Sequence, residues 1–222
     1  MGHRYQIQAT RRGLLLGASA ATCAAILPVA EAAAQNSPAS VTELIKDWPQ
    51  EAKAAAEEML RKYGPPQEVA PTRLHWEANR PWIRSVVHKA GVEHDFPAKH
   101  TDVLEQAVSY RVPLNFFEPL ATFNGSVIPD RTRGELIARC DREATNILAL
   151  NLAHDIIRGQ KTVAQAREAM AAGVREIQAD RTPADARELR LGPPQGDLRD
   201  PDIPAANSTP GQGTGTSPAV IR

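Results

Sequence analysis

Imidazole and carboxylate groups gather in one stretch of the chain, His94-Asp95-Phe96-Pro97-Ala98-Lys99-His100-Thr101-Asp102. These are the side chains that hold metal ions and move protons near neutral pH. His100 and Asp102 stand two apart, so they share a face if a strand begins there, and a turn at Pro97 folds His94 back toward them. Two imidazoles and a carboxylate suit zinc or iron, and three protein ligands with an open position make a catalytic arrangement. The spacing follows no established metal motif. A polar loop whose histidines have no ligand role is the competing reading.

Other candidates are scattered. Asn151 and Asp155 lie four apart on a strongly apolar segment, so they are neighbours on one helix and need polar partners, either a bound ligand or a loop. Trp76 and Trp82 flank a proposed hairpin turn, where they form either a platform for a sugar or peptide or part of the core. Cys140 is the single thiol left once an N-terminal segment containing Cys23 is removed, so no intramolecular disulfide forms and the fold relies on its own core. It reads as a small buried residue, or as a nucleophile if His100 or His154 reaches it as a base. His154 falls in a row with Ile147, Leu150 and Ile157, as a core histidine does, and His75 and His88 lie on strands. No nucleophile elbow, phosphate loop, dinucleotide fingerprint, paired-cysteine site or His-Glu-x-x-His helix occurs.

The elements that position these groups follow from periodicity. Ser40 with Glu43 has capping-box spacing, and Pro49 restarts the helix, which runs on through Ala52, Ala55, Ala56, Met59 and Leu60 to Tyr63. Gly64-Pro65-Pro66 ends it. Residues 73–78 alternate, residues 82–89 are rich in β-branched side chains, and the short Asn79-Arg80-Pro81 connection makes them a hairpin. Residues 103–112 favour a strand over a helix, 115–123 a short helix, and 126–137 a further strand that Pro129 confines to an edge or bulge. Arg142 to Arg158 is apolar over most of its girth, so it belongs inside, and Thr162 with Gln165 opens a last capped helix. From about Arg181 onward, proline, glycine and small polar residues replace the apolar ones, and disorder is expected.

The N-terminus is built for another purpose. Arg4, Arg11 and Arg12 precede an apolar stretch from Leu14 to Leu27, followed by small residues. Thr10-Arg11-Arg12-Gly13-Leu14-Leu15-Leu16 resembles the twin-arginine family of export signals, with leucines at 14 and 16 where phenylalanine and lysine are common. The resemblance implies passage through the twin-arginine machinery, cleavage by signal peptidase near Ala33 or Gln35, and a periplasmic or secreted mature protein. That route carries proteins already folded, often with a cofactor inside. The apolar run is interrupted by Gly17, Ser19 and Thr22 and falls short of the roughly 20 residues a spanning helix needs, so no permanent membrane anchor is expected.

With 26 basic and 26 acidic residues, the 222-residue chain has no excess positive charge to offer phosphate backbones, which argues against nucleic acid as a partner. The mature region also resembles a group of exported bacterial proteins with no assigned activity, through Lys62-Tyr63-Gly64-Pro65-Pro66, Phe96-Pro97, His100 to Gln106, Cys140-Asp141 and Asn151-Leu152-Ala153. It implies one domain and no particular reaction. The expectation is therefore a signal peptide at 1–34, a linker at 35–40, one α+β domain at 41–180 and a tail at 181–222. The domain should hold a small, mostly antiparallel sheet with helices packed on one face. Its expected role is non-enzymatic, a periplasmic binding or accessory protein that meets an unidentified partner or ligand. The alternative is a metal-binding protein or metal-dependent enzyme using His94, His100 and Asp102 with zinc or iron.

Overall fold

In the computed structural model, residues 38–192, 196–200 and 202 are described. The expected export segment with Arg11 and Arg12, and residues 203–222 of the expected tail, lie outside them. Two helices come first, α1 (Pro38–Ile45) and α2 (Gln50–Tyr63). Ala52, Ala55, Ala56 and Met59 give α2 a narrow buried stripe, and it stops at Gly64, which takes a positive φ of 75°. Three strands follow, β1 (Glu68–Ala70), β2 (Arg73–Glu77) and β3 (Arg84–His94), and then β4 (His100–Ser109). A 3-10 turn leads into α3 (Phe117–Phe123). A tight hairpin, β5 (Val127–Asp130) and β6 (Glu135–Cys140), precedes α4 (Glu143–Ile157) and α5 (Val163–Gln178).

The strands form one six-stranded sheet in the order β1-β2-β3-β4-β6-β5, and every neighbouring pair is antiparallel. The α+β class follows as expected, while the segment 126–137, read as one strand, is a hairpin turned at Gly134. Strand β1 is too short for an alternating pattern to reveal it. Along β2 and β3, Leu74, Trp76, Ser85 and Val87 point into the helix-covered face. The outward positions on the central strands carry Arg84, Glu105, Glu135 and Arg139, joined by Arg84–Glu135 and Glu105–Arg139 ion pairs.

Helix α4 is the middle of the helical layer. Its twelve buried residues include Leu148, Leu150 and Leu152, as its apolar girth requires. α5 crosses it closely at Gly173, where an added Cβ would stand 2.5 Å from Leu148 Cδ2. The capping box of Thr162 and Gln165 starts α5 as its spacing foretells. No helix among the described residues is long and apolar enough to cross a membrane.

At the start of α4, Glu143 is buried and accepts hydrogen bonds from Lys62 Nζ, Tyr63 Oη, Trp82 Nε1 and, at 3.2 Å, Gln106 Nε2. Burial pushes its carboxyl pKa up, yet these donors outweigh that and hold it below the ordinary value. A depressed carboxyl pKa adds stability above the unfolded value of about 4.3, and that stability is lost as pH falls through the folded value. Replacing Glu143 with alanine should therefore cost about 3 kcal/mol in urea unfolding at neutral pH, because several buried donors lose their acceptor. The gap between the two proteins should narrow at acid pH; a gap that stays constant would contradict an ionised Glu143.

Candidate metal centre

The β3–β4 connection assembles the site. In the antiparallel register His94 pairs with His100 and Val92 with Asp102, so the imidazoles face each other across the strands and Asp102 lies one pleat further in. The two ring centroids are 5.0 Å apart. Between Val87 and Val92 the register shifts, and there Gly91 passes so close to β4 that a Cβ would stand 2.7 Å from the Asp102 carbonyl. Only glycine permits this approach.

Ligand atoms of His94, His100 and Asp102 all lie within 4.8 Å of one another. His100 Nε2 is 3.0 Å from Asp102 Oδ1, and His94 Nδ1 is 3.4 Å from Asp102 Oδ2. The Asp102 side chain is only 3 % exposed, against 15 % for His100 and 18 % for His94. Ser126, just before β5, donates its hydroxyl to Asp102 Oδ2 and lies 3.3 Å from His94 Nδ1. Its own amide is fixed by Asn124 Oδ1 at 2.8 Å. On the far side of the ring, His100 Nδ1 donates to the Ala98 carbonyl at 2.8 Å, which leaves Nε2 facing the cluster.

The inner edge of this cluster is an ion pair without an aligned hydrogen bond. Although His100 Nε2 and Asp102 Oδ1 are close, their alignment gives neither a hydrogen bond, and both are buried. Tetrahedral bonds to a zinc-sized ion set neighbouring nitrogen and oxygen donors about 3.3 Å apart, and the two imidazoles lie near that distance from Asp102, one at each carboxylate oxygen. A serine-nucleophile relay fits poorly, because Asp102 touches both the Ser126 hydroxyl and the same His94 nitrogen. The carboxylate therefore does not orient the ring from its other nitrogen as a triad requires.

The remaining candidates fall elsewhere. Trp76 and Trp82 are 0 % and 1 % exposed, so the proposed aromatic platform is corrected to core: their indole N–H groups donate to the Gly64 carbonyl and to Glu143. Alternation puts Trp76 on one face of β2, and that face is the one the helices cover.

Asn151 and Asp155 likewise serve the chain itself. Asn151 bonds to the backbone of Asp185, Glu188 and Arg190, each at 2.8 Å, and Asp155 pairs with Lys161 and Arg190. They hold down a segment with a 3-10 turn at Ala184–Ala186 and with Leu189 and Leu191 against the core. The folded unit thus runs past Asp180, where composition alone puts its end. Buried side chains on α4 supply partners that the tail's own sequence does not advertise.

His154 bonds to the Tyr110 hydroxyl at 2.9 Å. It sits near the far end of α4 from Cys140, about 16 Å along the axis from the helix start at Glu143, too far to act as that thiol's base. Cys140 is buried and lies against His100, but burial pushes its thiol pKa up, away from the thiolate a nucleophile needs. Set against known protein families, characterised proteins and solved structures, the chain matches none of them.

Burial lowers the proton affinity of His100, yet the Asp102 carboxylate and the Cys140 sulfur beside it raise its pKa well above 6.5. Without metal, His100 is an imidazolium at neutral pH, and its pairing adds stability that is lost as pH rises through the raised pKa. The His100 ring signals of metal-free protein should accordingly show no titration between about pH 6 and 8. In Asp102→Asn they should titrate near the ordinary value of about 6.5. Equal midpoints in the two proteins would rule out the pairing.

Proposed function

We propose that this is an exported protein whose folded domain binds a divalent transition metal, zinc or iron, through His94, His100 and Asp102. The observation that supports this reading most is the convergence of His94, His100 and the buried Asp102 carboxylate, with one ligand atom from each within 4.8 Å of the others. A buried carboxylate needs a cation beside it, which is the His100 imidazolium in the metal-free protein and would be the metal ion in the loaded one. Imidazole donors disfavour magnesium and calcium. The Ala98 carbonyl behind His100 and the Ser126 hydroxyl on Asp102 are the outer partners that such ligands ordinarily have.

This narrows the expected binding or accessory role to handling of a metal ion. The twin-arginine resemblance fits that role, since the route delivers folded proteins to the periplasm or beyond and asks no membrane anchor of them. The precursor's partners are then the twin-arginine machinery and signal peptidase, and nothing in the charge balance invites nucleic acid.

Two experiments test the reading. Elemental analysis of mature protein purified from the periplasm without chelators should give close to one zinc or iron per chain, and His100→Ala should lose most of it. A folded protein free of metal would overturn the assignment. For export, changing both Arg11 and Arg12 to lysine should leave the precursor in the cytoplasm; undiminished export by the twin-arginine route would refute that signal.

A further inference from the structure

Cys140 closes β6, and its cross-strand partner on β4 is Leu104. Alternation then places the thiol on the helix-covered face, diagonal to Asp102, at a separation that cross-strand side chains can span. The thiol is buried, and Cys140 and His100 line the same small cavity. Its one other polar contact is weak, a donation to Asp141 Oδ1 at 3.4 Å. Beside it, between His100, Pro97 and Thr145, is a cavity of about 20 Å³, enough for the sulfur to move. Asp102 Oδ1, 3.0 Å from His100 Nε2 but without an aligned hydrogen bond, belongs to a side chain only 3 % exposed.

We propose that Cys140 is the fourth ligand of the metal held by His94, His100 and Asp102, so that the centre is a closed set of two imidazoles, one carboxylate and one thiolate. This rests on the metal reading above and specifies it. A change of rotamer about the Cα–Cβ bond moves the sulfur about 3 Å, and the fourth-ligand role requires the rotamer that turns it from Asp141 toward the cluster. As the metal–sulfur bond forms, the thiol proton leaves to solvent. A thiolate makes the set softer than two imidazoles and a carboxylate alone, which favours zinc over the hard cations. Four protein ligands leave no position for an activated water, so the ion is held rather than used in hydrolysis.

Cobalt(II) reports on this directly, because thiolate ligation gives an intense near-ultraviolet charge-transfer band that nitrogen and oxygen ligands do not. Metal-stripped mature protein titrated with cobalt(II) should develop that band, saturating at one cobalt per chain. In Cys140→Ser the band should vanish, while cobalt still binds with affinity reduced at least about tenfold. Stoichiometric cobalt binding that is lost in His100→Ala, but without the band in wild-type protein, would overturn the fourth ligand and leave the three-residue site standing. No cobalt uptake would overturn both. The band is read in the wild-type protein, so a poorly folding serine variant would not decide the matter.

Discussion

One buried carboxylate holds the layers of this protein together. Glu143 opens α4 and takes hydrogen bonds from α2 through Lys62 and Tyr63, from the β2–β3 connection through Trp82, and from β4 through Gln106. An isolated charge at that depth would be costly, so each donor must arrive where Glu143 needs it. Gln106 passes the constraint on, donating to Ser85 and accepting from Asn146, so β3, β4 and α4 share one polar chain. The apolar clusters on either side would tolerate small sliding movements, whereas this network fixes a single register between sheet and helices.

That fixed register is what gives the candidate metal centre its shape. The donors sit at the other end of β4 from the Gln106 contact, on the strand that Glu143 indexes. Gly91 lets β3 cross close to Asp102, and Asn124 fixes the amide of Ser126. The site thus draws on a hairpin and one loop, with the helical layer behind it and His94 at its partly exposed rim.

Local pattern carried much of the architecture. Alternation in Arg73 to Glu77 and the β-branched run after Trp82 mark a hairpin because strand sheets repeat every two residues. The capping box of Thr162 and Gln165 and the all-round apolar helix are equally local signals, whereas Ser40, read as a cap, lies inside a helix that begins at Pro38. What alternation leaves open is which face the helices will cover, and this is why Trp76 and Trp82 read as surface candidates and turn out to be core. The grouping of His94, His100 and Asp102 was legible because the three lie within one hairpin. Ser126 and Cys140 arrive from segments distant in sequence, and no local spacing links them to the cluster. The partners of Asn151 were equally hidden, since they are backbone atoms of a segment whose composition suggests no structure.

The strand order β1-β2-β3-β4-β6-β5 also bears on how the chain reaches this state. Strands β1 to β4 are a meander, and β5 with β6 is a separate hairpin, so all but one of the pairings join strands adjacent in sequence. Each of these closes a short loop at small entropic cost. The exception is β4 with β6, which must close over α3 and the hairpin between them. Such a topology has mostly local contacts, which favours rapid assembly of two independent units. Their docking closes the longest loop in the sheet, and it is the same step that brings α4, with Glu143 at its head, onto the sheet.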